Sequence, residues 1–286
     1  MENLLELNGV CKSYPAFSLK DVSFSLPAGS IMGFIGENGA GKTTTIKLIL
    51  NEVKRSAGTI SIFGKDNIKD EITVKQDIGA VFDESYFFDG LTAADIGKIL
   101  SRVFKAWDQP LYEKYQKDFE LSPKKKIKEY SKGMKMKLSI ASALSHHPRL
   151  LILDEATSGL DPVMRSEILD LFLDFIQDEG CSVLFSSHIT PDLERIADYV
   201  TFIHKGSIVL SLPKDELTEK WGIVKCGASK FADLDKSGFM RWRRGEVECE
   251  ALVRDKNEAR REYPGLVVDN ATLDDIMLFY VKGEKS

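Results

Sequence analysis

Residues 36–44 read GENGAGKTT and carry the spacing G-x-x-x-x-G-K-[ST]. Glycines allow consecutive backbone N–H groups to curl around an anion without a Cβ clash. The run follows a short apolar stretch and precedes the helix-like TTTIKLILNEV, whose positive end would face the same anion. This context favours a phosphate-binding loop (P-loop) over an inconsequential Gly-rich turn. In it, Lys42 would reach the β- and γ-phosphates and Thr43 would offer its hydroxyl to Mg²⁺.

The predicted nucleotide contacts in the P-loop are Gly36, Asn38, Gly39, Ala40, Gly41, Lys42, Thr43 and Thr44.

Residues 150–161, LLILDEATSGLD, supply carboxylates at the end of an apolar run. Asp154 can hold Mg²⁺ through its water shell, and Glu155 can accept a proton from a water that attacks the γ-phosphate. Taken alone, the run is more often a strand that ends in a charged turn. Coupled to the P-loop, it predicts nucleotide hydrolysis with Lys42 and Glu155 as catalytic groups.

Residues 129–141 read EYSKGMKMKLSIA and contain Lys132, Lys135 and Lys137 close to Ser131 and Gly133. Ser131 is a good helix N-cap, and apolar residues follow it at helical spacing. The pattern fits the basic face of a solvated helix, and it also fits a helix N-terminus built to receive an anion.

Short apolar runs at 31–35, 150–153 and 182–185 alternate with helical patterns, one of them at 163–179. Alternation of this kind predicts a parallel sheet covered on both faces. Residues 3–28 and 57–63 alternate apolar and polar positions, which predicts a small antiparallel sheet. Residues 92–145 look mostly helical, with Pro110 and Pro123 as breaks.

The chain has 286 residues and a formal net charge of -5, so a general affinity for nucleic acid or anionic membranes is not expected. Its four scattered cysteines predict reduced thiols in a cytosolic protein. No signal peptide and no apolar run of about 20 residues is recognised, so any connection to a membrane is expected through another chain.

Four further sequence features occur along the chain: Tyr14 in VCKSYP, IGAVFDE at 78–84, SGLD at 158–161 and His188 in SSHI. Together with the P-loop and LLILDE, they make residues 3–217 resemble an ATP-binding subunit of an ABC transporter. The resemblance implies that Tyr14 stacks on adenine and that His188 is a catalytic group at the γ-phosphate. It places Asp83 in the Q-loop, as a nucleotide and Mg²⁺ ligand, and Asp161 in the D-loop, at the nucleotide.

The family signature LSGGQ aligns on YSKGM at 130–134. In the family, the serine and second glycine contact the γ-phosphate of ATP held by the other subunit. Here those residues are Ser131 and Gly133. The resemblance therefore implies a head-to-tail dimer with a second copy, or with a homologous ATPase subunit.

The implied fold is α/β: a P-loop NTPase with a RecA-like core, an antiparallel β subdomain and a helical subdomain at about 86–147. The ATPase domain would span 1–217, and 218–286 would form a small C-terminal α/β accessory domain in which no catalytic pattern is recognised. ATP and Mg²⁺ are the implied ligands. An integral membrane transporter subunit is the implied partner, which would hold the chain at the cytoplasmic face of the cell membrane. Nucleic acid is not expected as a partner.

Two residues depart from the family pattern: Asp83 stands where most members have glutamine, and Lys132 replaces the first signature glycine. We expect Lys132 to point to solvent, because the family's contacts run through its neighbours. These two departures and the segment SKGMKMKLSIA most resemble the bacterial exporter branch of bacitracin-type and YtrB-like ATPases.

Phe87, Phe88 and Leu91 follow the Q-loop, where family members receive a helix from the membrane subunit.

Two other functions stay open. A soluble ABC ATPase acting on ribosomes or DNA is disfavoured, since the chain has one motif set, no coiled-coil insertion and an acidic balance. A nucleotide-sensing regulatory subunit with low turnover is disfavoured by Glu155 and His188, although Asp83 keeps it open.

Overall fold

The computed structural model describes residues 2–84, 86–178, 180–245 and 247–285. The strands are β1 (Asn3–Tyr14), β2 (Phe17–Pro27), β3 (Ile31–Ile35), β4 (Ala57–Ile62), β5 (Lys65–Asp66), β6 (Ile78–Phe82), β7 (Leu150–Asp154), β8 (Ser182–Ser187), β9 (Tyr199–His204), β10 (Ser207–Pro213), β11 (Gly222–Gly227), β12 (Phe239–Arg244), β13 (Glu248–Val253), β14 (Val267–Asn270) and β15 (Glu284–Lys285). The α-helices are α1 (Lys42–Ile49), α2 (Glu71–Lys75), α3 (Ala93–Val103), α4 (Gln109–Asp118), α5 (Lys132–Leu144), α6 (Pro162–Phe175), α7 (Thr190–Ile196), α8 (Ala228–Asp233), α9 (Lys256–Glu262) and α10 (Leu273–Lys282).

The central sheet has six strands in the order β10-β9-β3-β8-β7-β6. All its pairings are parallel except that of β10 with β9. Every residue of β3, β7 and β8 is buried, which explains why these strands are continuous apolar runs in the sequence. The predicted parallel α/β core is confirmed.

The N-terminal antiparallel sheet, in the order β2-β1-β4-β5, is also confirmed. Its buried face shares one apolar cluster with α1 and the central sheet, through residues such as Leu5, Leu26, Ile46 and Phe34. This packing sets the P-loop between the two sheets.

The helical region contains α3, α4 and α5 around a separate small core with Tyr112 and Leu138 fully buried. Pro110 lies in the first turn of α4, where a proline has no N–H to lose, and the Asp108 side chain caps the helix. Pro123 lies in the loop before a short 3-10 turn, Ile127–Glu129.

The predicted helix at 163–179 is shorter in the structure, since α6 ends at Phe175. Glu179, the last residue of that prediction, lies outside the described residues.

The C-terminal part folds as a five-stranded antiparallel sheet, β14-β11-β13-β12-β15, with α8, α9 and α10. Part of its apolar core is continuous with that of the central sheet, because α10 packs against α7 and β9, and the rest forms a separate cluster that includes Val224 and Phe231. The backbone N–H of Leu273, at the start of α10, donates to Oε1 of Glu194 on α7 at 2.7 Å. The domain boundary at 217 stays a prediction.

The arginines on either side of Trp242 make contacts within the chain. The guanidinium groups of Arg241 and Arg243 lie 4.5 Å from the ring centres of Tyr280 and Phe279 on α10. The Trp242 indole N–H donates to Glu284 at 3.1 Å. These residues join β12 to the C-terminal helix.

Across the described parts of the chain, no helix combines the length and the apolar character that a membrane crossing requires.

His146 links the end of the α5 segment to β6. It is 2% exposed, its ring stacks on Phe104 with centroids 3.8 Å apart, and Nε2 lies 3.0 Å from the Ile78 carbonyl. A carbonyl only accepts, so the proton of this bond lies on Nε2. Burial lowers the pKa of His146 below its ordinary value of 6.5, and the Ile78 hydrogen bond opposes that shift.

This lowered pKa makes a prediction about stability. The neutral ring stabilises the fold above pH 6.5, and that contribution is lost as the pH falls towards the folded-state pKa. His146→Gln keeps an N–H donor for Ile78 but cannot titrate. We therefore expect its free energy of unfolding, from urea titrations between about pH 7.5 and pH 5, to fall less steeply than that of the wild type. Equal slopes in the two proteins would refute the assignment.

Candidate active site

The P-loop joins the end of β3 to the start of α1. Gly41, the N-cap of α1, has φ +117°, a backbone conformation that L side chains rarely adopt. A Cβ on Gly36 would lie 2.5 Å from the backbone oxygen of Ile203 on β9. The glycine spacing is thus required by one unusual dihedral angle and one close backbone approach.

Lys42 is the first residue of α1, and its side chain is only 6% exposed. Its Nζ donates to the Gly36 carbonyl at 2.7 Å and lies 3.2 Å from Oε1 of Glu155. The buried ammonium therefore has an anionic partner within the chain, as a buried charge requires.

Glu155 follows β7 directly and has φ +55°. While Oε1 faces Lys42, Oε2 lies 2.6 Å from Nδ1 of His188 and accepts from the His188 backbone N–H at 3.3 Å. An ionised carboxylate only accepts hydrogen bonds, so the Nδ1 proton lies on the imidazole. The three predicted catalytic residues therefore form one chain of contacts, Lys42–Glu155–His188.

Asp154 and Thr43 offer the oxygen ligands that Mg²⁺ prefers. Asp154 is 5% exposed, and its Oδ1 accepts from the Ser186 hydroxyl at 2.5 Å, while no described residue bonds to Oδ2. Thr43 is exposed and lines the P-loop cavity. This donor set fits Mg²⁺ held partly by phosphate and water. Among the described residues, no group of three or more His, Cys, Asp or Glu side chains is placed to hold a metal by itself.

A cavity of about 460 Å³ brings the P-loop and Glu155 together. An adjoining cavity of about 430 Å³ shares Gly39 with it and is lined by Tyr14, whose side chain is 41% exposed. An aromatic ring beside the phosphate cavity lies where a nucleotide base could stack. The structure therefore places Tyr14, the P-loop and Glu155 along one continuous surface.

Ser131, Gly133 and Asp161 are outside the described lining of the P-loop cavity, and each takes part in a local contact. Ser131 caps α5 by accepting from Met134 N–H at 3.2 Å, as predicted. Asp161 caps α6 by accepting from two backbone N–H groups. A Cβ on Gly133 would lie 2.6 Å from the Met164 side chain. Any contact of these residues with nucleotide stays a prediction.

Asp83, predicted as a nucleotide and metal ligand, pairs with Lys132, and its ligand role stays a prediction. Lys132 Nζ lies 2.5 Å from Asp83 Oδ1, and both side chains are roughly half exposed. Lys132 is exposed, as expected, and its ammonium in addition pairs with a carboxylate 49 positions away in sequence.

The motifs did not reveal two further contributors. Phe17 lines both cavities, and its ring would lie 3.0 Å from a Cβ on Gly41. Its only sequence signal is its nearness to Tyr14. Asp192, on α7, accepts from the Thr157 hydroxyl at 2.7 Å and so ties the helix after His188 to the segment after Glu155. No local pattern marks that pair, because their partnership depends on the fold.

Comparison with known proteins supports the same reading. A family model described as "ABC transporter" matches residues 19–158. The bacitracin transport ATP-binding protein BcrA of Bacillus licheniformis is 33% identical over 223 residues, which are 77% of this chain and 73% of BcrA. The ABC transporter ATP-binding protein YtrB of Bacillus subtilis is 34% identical over 203 residues, or 71% and 69%. The lantibiotic transport ATP-binding protein SrtF of Streptococcus pyogenes is 32% identical over 214 residues, or 74% and 92%.

Solved structures agree on the fold. One, described as the ATP-binding subunit of an ABC transporter, aligns with a TM-score of 0.69 at 28% identity, over 76% of this chain and 92% of that one. The ATP-binding cassette MJ0796, described as a dimer in a post-hydrolysis state with ADP and Pi, aligns with a TM-score of 0.67 at 22% identity, over 73% and 98%.

The close approach at Gly36 gives a direct test of the P-loop. Gly36→Ala would push a methyl group into the Ile203 backbone, which cannot yield as a flexible side chain does. We expect ATP affinity, measured by titration with a fluorescent analogue, to fall by more than about tenfold. Gly227→Ala is the control, since nothing lies within 4 Å of its Cβ and no positive φ is involved. Unchanged affinity in Gly36→Ala would refute the P-loop geometry.

Proposed function

This chain belongs to the ABC transporter family as an ATP-binding, ATP-hydrolysing subunit, and from that premise we propose that it powers export through separately encoded membrane subunits. BcrA and SrtF, which it resembles, are described as transport ATP-binding proteins for bacitracin and a lantibiotic. The observation that carries the proposal is the chain of contacts Lys42–Glu155–His188 beside the P-loop cavity.

The chemistry follows from an exchange of anions at Lys42. The β- and γ-phosphates of ATP replace Oε1 of Glu155 as partners of the ammonium, which leaves that carboxylate free to take a proton from an attacking water. His188 keeps its Nδ1 bond to Glu155, and its Nε2 can donate to a γ-phosphate oxygen when the ring is protonated at both nitrogens. Glu155 thus acts as general base, with His188 positioned by it.

Thr43 and Asp154 are the residues that would hold Mg²⁺, whose charge offsets that of the β- and γ-phosphates when it is bound. Asp83, whose Oδ1 binds Lys132, could join them through its other carboxylate oxygen.

We propose that two copies, or this chain and a homologous ATPase subunit, pair head-to-tail. Ser131 and Gly133 lie at the N-terminus of α5, where backbone N–H groups and the helix dipole attract an anion, yet they are outside the lining of their own P-loop cavity. A second copy would bring its bound ATP to that helix end. Because ATP then contacts both chains, hydrolysis removes shared contacts and reopens the dimer.

The membrane partner is proposed to dock in a groove of about 380 Å³ between the central sheet and the helical region. Its lining is mostly apolar and includes Phe82, Phe87, Leu100 and Phe104. Of the aromatic pair expected after the Q-loop, Phe88 is 74% exposed and Phe87 is half-buried, while Tyr86 is the second exposed ring at 73%. An apolar groove with exposed aromatic residues at the Q-loop suits a segment of the membrane subunit. Docking there would hold the chain at the cytoplasmic face of the membrane.

Replacing the proposed base tests the mechanism. Glu155→Gln should lower kcat for ATP by more than about a hundredfold, since an amide cannot accept the proton. ATP should bind at least as tightly as in the wild type, because no carboxylate competes for Lys42. Size-exclusion chromatography with Mg-ATP should show an accumulated dimer. Unchanged turnover would remove Glu155 as the base, and a monomer at all nucleotide concentrations would contradict the proposed dimer.

The docking proposal is tested by co-expression with a candidate multi-span membrane subunit, chosen from the reading frames that neighbour the one for this chain. Tyr86→Glu places a charge on an exposed ring that lines the groove and should reduce recovery of the complex by more than about fivefold. Val247→Glu, at a position 83% exposed in the C-terminal part, is the matched control and should leave recovery unchanged. Equal recovery of both variants would refute this docking site.

A further inference from the structure

The three lysines at the start of α5 each have a carboxylate partner. Lys132 pairs with Asp83 at 2.5 Å, Lys135 with Asp89 at 3.1 Å and Lys137 with Glu167 at 3.2 Å. Only the first pair joins two residues of the nucleotide motifs. The other two pairs are ordinary surface contacts of a basic helix face.

Lys132 stands where three motifs meet within one chain. It is the first residue of α5, between Ser131 and Gly133 of the signature, and Asp83 is the first residue after β6. Its ammonium also lies beside the D-loop, because a Cβ on Gly159 would be 3.2 Å from Nζ. Gly159 has φ +69° and carries no side chain that could displace the lysine.

The charges of the two residues compensate one another. Asp83 alone would place an additional negative charge in the Q-loop, near where the phosphates of ATP are proposed to bind. Lys132 alone would place a positive charge beside the signature serine. Bound together, the two charges neutralise each other and connect the central sheet to the helix that carries the signature.

We propose that Lys132 is a positioning residue of the ATP site, and that Lys132 and Asp83 act as one unit that sets the start of α5 relative to the Q-loop and D-loop. The proposal rests on the proposed function of Ser131 and Gly133 towards the partner's ATP. A shift of Lys132 moves both of them, since they are its chain neighbours. The pair is half exposed, so its effect should weaken as the salt concentration rises.

A double-mutant cycle on the full chain tests the unit. The variants are Lys132→Met, Asp83→Asn and the double variant, with Lys132→Arg as the conservative replacement. Two quantities are measured: hydrogen-exchange protection of the first turn of α5, which reports the pair within one chain, and kcat and KM for ATP. Each single variant should lower protection by about threefold or more and kcat by about three- to tenfold.

The proposal is tested by how KM, the double variant and Lys132→Arg compare with the single variants. KM should change by less than about twofold, because ATP binds first to the P-loop, which the pair does not touch. The double variant should be no worse than the worse single variant, and Lys132→Arg should retain most of the activity. The coupling in both quantities should shrink when salt is raised from about 0.05 to 0.5 M.

A matched cycle on Lys135 and Asp89 is the control, since that pair leaves the same helix one turn later and joins no nucleotide motif. It should show no coupling in kcat. The proposal would be overturned if the fold-changes of Lys132→Met and Asp83→Asn in protection and kcat simply multiplied in the double variant. It would also be overturned if the two residues were coupled in protection but not in kcat. A wild-type chain that hydrolyses no ATP would instead overturn the proposed function, while the exchange cycle would still decide whether the pair positions α5.

Discussion

The register of the parallel central sheet is the constraint on which the site depends. Ile35 pairs with Ser187, Ser186 with Asp154, and Asp154 with Phe82, so β3, β8, β7 and β6 end nearly level. The residues that follow these strands are Gly36 of the P-loop, His188, the proposed base Glu155, and Asp83. Parallel strands present their carboxyl ends at one edge of the sheet. Residues that lie far apart between positions 36 and 188 are therefore brought to the same edge by the backbone.

At that edge, charged side chains of opposite sign pair with one another. Lys42 is buried and bonded to Glu155, and Glu155 is bonded to His188. Asp83 is bonded to Lys132. A buried charge that loses its partner destabilises the fold far more than a buried charge whose partner is replaced by another group with the same charge as that partner. In the proposed mechanism, an incoming phosphate group therefore enters by substitution, and the same exchange releases the Glu155 carboxylate.

The sequence predicted features that follow from local patterns. The P-loop, the buried strands, the N-cap at Ser131 and the α/β core were all recognisable from glycine spacing, apolar runs and helix periodicity. The pairing of Lys132 with Asp83 was not, because charged residues 49 positions apart give no local signal and meet only when β6 and α5 pack together. The same reason hides Thr157–Asp192, a buried hydrogen bond between the segment after β7 and α7. Motif reading therefore found the individual residues and missed the contacts that couple them.

The C-terminal part is joined to the catalytic edge through α7. This helix begins two residues after His188, and its Asp192 binds Thr157 next to Ala156 and Glu155. The opposite side of the same helix meets α10, where Glu194 accepts from the first backbone N–H, and Phe279 belongs to the same buried cluster as Leu193. Close-packed cores transmit displacement because they have few voids to absorb it. Helix α7 is therefore one contact path between the C-terminal part and the proposed ATP site, and β9, which also packs against α10, is a second.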